Sequence, residues 1–143
     1  MKPMRMHHVG IVVPTMQKAY DFLERFGLEI DYTGFVKAYD ADLIFTKYND
    51  RESPVELIIP KENSVLVNFN SGKGGIHHIA YEVEDVEAVR LEYEAKGMKM
   101  LEEKAVTGTD DIIVNFLRPK YSDGILVEFV ETIAERAPSC RLT

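Results

Sequence analysis

Four residues able to bind a metal recur at similar places in the two halves of the sequence. His8 lies in the segment HHVGIVV, and His78 lies 70 residues later in the similar segment HHIAYEV. Glu56 lies in the segment VEL, and Glu128 lies 72 residues later in the segment VEF. Imidazole and carboxylate groups together suit Zn²⁺, Fe²⁺, Co²⁺, Ni²⁺ or Mn²⁺. The repeat therefore predicts one divalent metal site with these four ligands.

The alternation of side chains along a strand places all four residues on one side of the predicted sheet. The face opposite His8 is apolar and consists of Val9, Ile11 and Val13. The strands that carry the other three residues follow the same pattern. Burying carboxylates together without a cation is costly, so we expect the four side chains to surround one ion. A slip of one residue in register would exchange the roles of His8 and His78 with those of His7 and His77, which are otherwise expected to be partly exposed strand-end residues.

Both halves of the chain predict the element order strand, helix, strand, strand, strand. In the first half Thr15 is the expected N-cap of the helix and Gly27 its expected C-terminal stop. The apolar residues between them recur at i, i+3, i+4 and i+7, which is one face of an amphipathic helix. Stretches typical of strands lie at residues 6–13, 28–32, 35–39, 43–48 and 55–59, one more than this approximate order contains.

The second half repeats this order after a glycine-rich stretch. Asp85 is the expected N-cap of its helix, and strands are predicted at residues 76–83, 98–106, 112–117 and 125–130. The stretch between the halves ends in GKGG but lacks the Gly-Lys-Ser/Thr ending of a phosphate-binding loop. It therefore predicts a flexible connector rather than a nucleotide site.

Composition and charge exclude several classes of function. The 143 residues are 45% hydrophobic and 29% charged, which is typical of a folded globular protein. With a net charge of −7 and no Lys/Arg-rich run, nucleic acid is not an expected partner. No apolar run approaches the roughly 18 residues of a membrane helix. The single cysteine, Cys140, cannot form an internal disulfide, so we expect a reducing, cytoplasmic location and an inert thiol.

With these residues assembled, the chain resembles the vicinal oxygen chelate, or glyoxalase-like, superfamily, and most closely its methylmalonyl-CoA epimerase branch. The resemblance covers about residues 6–131. It rests on the segments HVGIVV from His8, VELIIP from Val55, GIHHIAYEV from Gly75, GILVEF from Gly124, and NFLRPK from Asn115.

The resemblance implies an α+β fold in which two paired βαβββ modules form a curved, partly open mixed β-sheet barrel around a metal site, with the helices outside. Residues 1–143 would form a single domain of this type. Module 1 would span about residues 6–60, the connector about 61–75, module 2 about 76–131 and a C-terminal tail 132–143.

The activity implied by the resemblance is that of a metal-dependent isomerase or epimerase, which exchanges a proton on the carbon next to a carbonyl. The metal ligands would be His8, Glu56, His78 and Glu128, and Glu128 would also act as a base. The branch carries a second glutamate base where this chain has FVKAYDAD, so Asp40 and Asp42 are the candidates for that role. Where the branch usually has His-Pro, this chain has Arg118-Pro119, and Arg118 is a candidate to bind a substrate carboxylate or phosphate.

The expected partner is a small molecule, an acyl-CoA or another thioester or thiol adduct, and members of the superfamily are commonly homodimers. One alternative is lactoylglutathione lyase-like isomerisation of a hemithioacetal at the same ligands. Extradiol dioxygenase or thiol transferase chemistry is disfavoured, because a fourth protein ligand at Glu56 would occupy space that the substrate needs. A further alternative is a small-molecule binding or resistance protein without catalysis, a class that commonly lacks the metal ligands.

Overall fold

The computed structural model describes residues 4–49, 51–109 and 111–133. These residues divide into two compact units. The first unit consists of residues 4–8 together with residues 78–133, and the second consists of residues 9–77. Cys140 lies outside the described residues, so the prediction for its thiol stays a prediction.

The second unit, residues 9–77, contains the βαβββ elements predicted for the first half of the chain, beginning within the first strand at Val9. They are β1 (Arg5–Val12), α1 (Met16–Phe26), β2 (Ile30–Val36), β3 (Ala41–Thr46) and β4 (Val55–Pro60). The strands lie in the order β2-β3-β4-β1. The β1–β4 pair is parallel and the other two pairs are antiparallel, so this sheet is mixed.

Helix α1 begins and ends where the sequence predicts. The side chain of Thr15 accepts a hydrogen bond from the backbone N–H of Lys18 at 3.2 Å, which satisfies one of the free donors at the helix start. Gly27 ends the helix with a φ of 63°, a left-handed conformation that glycine adopts at little cost. The buried side of the helix packs on one face of the sheet through Ala19, Leu23, Ile44, Leu57 and Ile59.

The first unit repeats the arrangement with the second half of the chain. Its elements are β5 (Gly75–Glu82, from residue 78 onward), α2 (Val86–Ala95), β6 (Val106–Thr107), β7 (Ile112–Leu117) and β8 (Val127–Thr132). The strands lie in the order β5-β8-β7-β6, with β5 and β8 parallel. The side chain of Asp85 accepts a hydrogen bond from the backbone N–H of Ala88 at 3.0 Å, which confirms the predicted cap of α2.

Three predicted strands are wrong in detail. Residues 28–39 do not form two strands: β2 is one strand that pairs with β3 from Ile30 to Val36, and a 3-10 helix, Lys37–Tyr39, follows it. Residues 98–106 form only a bridge between Met100 and Leu117 before β6. The Asn115 side chain takes the place of a strand partner here. Its amide oxygen accepts a hydrogen bond from the backbone N–H of Glu102, and its amide nitrogen donates one to the backbone carbonyl of Glu102.

The predicted flexible connector has a defined structure. Leu66 and Phe69 pack against an apolar cluster on the sheet face opposite α1, and Phe69–Gly72 forms a 3-10 helix. Gly74 approaches the backbone of β1 so closely that an added Cβ would lie 2.3 Å from the carbonyl oxygen of Val12. The connector is therefore held against the strand that carries His8.

This close approach predicts that Gly74→Ala destabilises the protein more than Gly97→Ala does. Both glycines have a positive φ, 76° and 80°, but a Cβ at Gly97 would meet nothing within 4 Å. Gly97→Ala should cost about 1 kcal/mol from backbone conformation alone. Gly74→Ala should cost about 2 kcal/mol more, because backbone must move to relieve the clash. Urea denaturation of both variants measures the difference, and equal losses would contradict this role for Gly74.

Candidate metal centre

Three of the four predicted ligands converge within the first unit. The distance from His8 Nε2 to His78 Nε2 is 2.9 Å. Oε1 of Glu128 lies 3.1 Å from the first of these nitrogens and 3.5 Å from the second. The exposed fractions of the three residues are 1%, 4% and 6%, so the group is shielded from solvent.

Sheet register explains why His78 and Glu128 meet. Strands β5 and β8 are parallel, and Ala80 lies directly beside Glu128. His78 precedes Ala80 by two residues and therefore points to the same face of the sheet. The opposite face is apolar, with Tyr81 and Phe129 in the cluster that also includes Val89 of α2. Burial of that face under the helix leaves the histidine and the glutamate on the other side.

The spacing of the three atoms is the spacing of ligands around one cation. With metal–ligand bonds of about 2.1 Å, neighbouring donors lie about 3.0 Å apart in octahedral geometry and about 3.4 Å apart in tetrahedral geometry. The observed separations, 2.9, 3.1 and 3.5 Å, match these values. Among the described residues, Oε1 of Glu128 is buried without a hydrogen-bond partner, although both imidazoles are near it. A cation would satisfy this oxygen, so the residues fit a divalent metal.

The electrostatics keep Glu128 ionised. Burial by itself would raise the pKa of its carboxyl group, but the neighbouring imidazoles of His78 and His8 more than offset this effect. Together they lower the pKa from 4.5 to about 2. Glu128 is thus a carboxylate at neutral pH, which is the form that binds a metal or accepts a proton.

His7 also contacts the site, which the alternation of strand side chains did not predict. Its Nδ1 lies 2.8 Å from Nδ1 of His8, and the two rings meet edge to face with centroids 5.1 Å apart. Burial, and next the charge of His8, lowers the pKa of His7 to about 4. The only signal in the sequence was the doubled histidine itself. On the other side of the site, the Phe116 ring packs edge to face on His78.

Glu56 occupies the corresponding position in the second unit. It lies on β4 directly beside Gly10 of β1, as Glu128 lies beside Ala80 in the first unit. Its side chain is buried, with an exposed fraction of 6%. Leu57 faces the helix, so Glu56 points to the opposite face, where its antiparallel partner is Phe45. That face is otherwise apolar, with Leu43 and Ile58 in the same cluster as Phe45.

The other three predicted site residues have the following places. Asp42 pairs with Ile59 and so lies on the helix side of the second unit, with its carboxylate 3.9 Å from Lys61 Nζ. Asp40 ends the Lys37–Tyr39 helix in a left-handed conformation with a φ of 48°. The exposed Arg118 in the first unit uses its Nε to donate a hydrogen bond to the backbone carbonyl of Met100 at 3.1 Å.

Buried imidazole and carboxylate groups that fit a divalent metal, on repeated βαβββ units, are typical of one class of protein, and comparison with known families agrees with this class. The model of the Glyoxalase/Bleomycin resistance protein/Dioxygenase superfamily matches residues 7–116. The chain therefore belongs to this superfamily, as the sequence predicted.

Within the superfamily, the chain is similar to acyl-CoA epimerases. The chain is 33% identical over 129 residues to the ethylmalonyl-CoA/methylmalonyl-CoA epimerase of Cereibacter sphaeroides, covering 87% of this chain and 95% of that protein. It is 29% identical over 128 residues to the mitochondrial methylmalonyl-CoA epimerase of Homo sapiens, covering 87% and 72%. A solved methylmalonyl-CoA epimerase in complex with methylmalonyl-CoA and NH4+ superimposes with a TM-score of 0.82 at 27% identity, covering 96% and 100%.

These comparisons confirm two predictions, the fold class and the likeness to methylmalonyl-CoA epimerases. They indicate an enzyme of this superfamily. In the described part of the chain, no helix is both long enough and apolar enough to span a bilayer. The homodimer and the cytoplasmic location stay predictions.

The low pKa of Glu128 predicts how the stability of the metal-free protein depends on pH. Because the folded pKa lies below the ordinary value of 4.5, the charged carboxylate stabilises the fold above 4.5, and this contribution is lost as the pH falls toward about 2. The difference in unfolding free energy between the wild type and Glu128→Gln should therefore shrink over that interval. Urea titrations of chelator-treated protein measure it, and a difference that grows on acidification would contradict the assignment.

Proposed function

We propose that this chain is a metal-dependent epimerase that exchanges the proton on the carbon next to the carbonyl of an acyl-CoA thioester, as in methylmalonyl-CoA. The observation that carries the proposal is the convergence of His8 Nε2, His78 Nε2 and Glu128 Oε1 at ligand spacing in a buried group. The family membership and the epimerase relatives support it.

The proposed metal ligands are His8, His78, Glu128 and Glu56. Support for the fourth comes from the repeat: Glu56 has the same register relation to the His8 strand that Glu128 has to the His78 strand. In the first unit this relation brings glutamate and histidine to 3.5 Å. When bound, a divalent cation would supply a Lewis acid that makes the α-proton of a coordinated thioester more acidic.

Glu128 is the proposed proton carrier as well as a proposed metal ligand, so its carboxylate would have to leave the metal to accept a proton. Its low pKa keeps it deprotonated at neutral pH, so it is ready to accept a proton. The same low pKa makes it a weak base, which is sufficient only for a substrate proton that has been made acidic. Its burial, with an exposed fraction of 6%, keeps water away from the proton in transit.

The relatives support the proposed substrate class, because their names specify acyl-CoA epimerases and one of the solved structures holds methylmalonyl-CoA. Epimerisation needs a proton delivered to the face opposite the one from which it was taken. Asp42 lies on the helix side of its sheet and is already near Lys61, which argues against that role. Asp40 remains the candidate second proton carrier, and Arg118 remains the candidate for a substrate carboxylate or phosphate.

We expect protein purified without chelator to contain a divalent metal and to exchange the α-proton of methylmalonyl-CoA for deuterium in D₂O, followed by NMR. His78→Ala should lose most of the metal, whereas the matched control His77→Ala should keep it, because the ring of His77 packs on Phe69 instead. Glu128→Gln should lower the exchange rate by about 10²- to 10⁴-fold.

A parallel assay with a hemithioacetal separates the epimerase from a lactoylglutathione lyase-like enzyme. Turnover of the hemithioacetal without α-proton exchange on the acyl-CoA would overturn the proposed substrate class. Metal-free protein that binds an aromatic ligand and catalyses neither reaction would instead support the binding-protein alternative.

The two aspartates provide a paired test of the second proton carrier. Asp42→Asn should leave kcat/KM within about twofold, as for most surface substitutions. Asp40→Asn should lower the rate of epimerisation by at least about tenfold while α-proton exchange through Glu128 continues. Chiral analysis and deuterium incorporation on the same samples report the two rates. If Asp40→Asn lowers neither, the second proton comes from another group.

A further inference from the structure

We infer that His7 is a positioning residue for the metal: it fixes the tautomer and orientation of His8 so that His8 Nε2 presents its lone pair to a cation. The inference rests on the proposed metal site and adds a residue to it. Imidazole ligands commonly hold their second nitrogen in a hydrogen bond to a neighbouring group, which sets both the tautomer and the ring orientation. In this chain the neighbouring group is another histidine.

The contact between the two rings carries the inference. Nδ1 of His7 and Nδ1 of His8 lie 2.8 Å apart, a normal hydrogen-bond distance, and the ring planes meet at 78°. One proton is shared between two such nitrogens, so one ring donates and the other accepts. The Nε2 atom of His8, at the other end of the ring, points at His78 Nε2 and Glu128 Oε1.

Metal binding settles which ring donates. For Nε2 of His8 to bind a cation, that nitrogen must present a lone pair, so the proton of the neutral ring must lie on Nδ1. His8 then donates from Nδ1, and His7 accepts with its own Nδ1 and carries its proton on Nε2. The opposite arrangement, with His7 as donor, would put the proton of His8 on Nε2 and block the ligand atom.

His7 is not itself a ligand in this arrangement. Its Nδ1 faces the far side of the His8 ring, away from the group formed by the two Nε2 atoms and Oε1 of Glu128. Consecutive strand residues ordinarily point to opposite faces, so the contact is a particular feature of these two rings. It acts on the metal only through His8.

The second doubled histidine of the repeat can be compared with the first. His77 precedes His78 as His7 precedes His8, but the ring of His77 packs edge to face on Phe69 at 5.0 Å. The same dipeptide therefore has two uses in the chain. Substitution of His77 is the matched control for substitution of His7.

The first test reads the tautomer in the Zn²⁺-loaded protein, by NMR of the ring nitrogens and ring N–H protons at mildly alkaline pH. The wild type should show His8 with its proton on Nδ1 and that proton in a hydrogen bond. His7→Asn keeps an acceptor oxygen near the position of the lost Nδ1 and should preserve this hydrogen bond. His7→Leu removes the acceptor, so the Nδ1–H resonance of His8 should move upfield and exchange faster with water, while His77→Leu should leave it unchanged. A Zn²⁺-loaded wild type in which the Nδ1–H of His8 is not hydrogen-bonded would overturn the inference whether or not the protein is an epimerase.

The second test measures the affinity for Co²⁺ and Zn²⁺ by competition with a chelating dye, together with the visible absorption of bound Co²⁺. His7→Leu should weaken binding by about 10- to 100-fold and change the Co²⁺ spectrum, which reports ligand geometry. His7→Asn should bind within about threefold of the wild type, and so should His77→Leu. Circular dichroism and thermal melting of the metal-free variants confirm that each is folded.

The outcomes separate the two proposals. Wild-type affinity and an unchanged spectrum in a folded His7→Leu would overturn the role of His7 and leave the metal site standing. Failure of the wild type to bind either ion would overturn the metal site and the positioning role with it. Loss of affinity in His7→Leu with recovery in His7→Asn supports both.

Discussion

The buried carboxylate of Glu128 determines which groups the rest of the site must place around it. A lone carboxylate at this depth would be protonated, since burial disfavours its charge. The two imidazoles reverse that preference and lower its pKa to about 2. Even so, Oε1 has no hydrogen-bond partner among the described residues. The site is thus arranged around a buried negative charge beside two imidazole nitrogens, an arrangement that a bound cation would complete.

The contact of Glu128 with His78 depends on the register between two strands. A parallel pairing of β5 with β8 in which Ala80 lies beside Glu128 puts the glutamate on the face of His78. A slip of one residue would send Glu128 into the apolar cluster under α2, where Phe129 and Tyr93 now pack. The register that buries the apolar face under the helix is therefore also the register that places Glu128 on the side of His78.

The duplicated sequence supports two different local environments. Glu56 repeats the register relation of Glu128, and both are buried. The doubled histidines diverge, because His7 turns toward His8 whereas His77 packs on Phe69 from the connector. Connectors and ring rotations are free to differ between repeats, since neither is fixed by the alternation of strand side chains. The chain thus keeps the same candidate ligands in both halves while the histidines that precede them make different contacts.

The βαβββ order, the caps at Thr15, Gly27 and Asp85, and the face that each candidate ligand occupies could all be predicted from the sequence. These features follow from local rules: side-chain alternation, helical periodicity and the hydrogen bonds that helix ends lack. Other features depend on contacts between residues that are distant in the sequence, which local rules do not describe. The amide of Asn115 replaced a strand around Glu102, the connector packed onto the sheet, and pairing with Ile59 placed Asp42 on the helix side. The contact of His7 with His8 also depended on ring orientation within the folded unit, which no spacing of residues specifies.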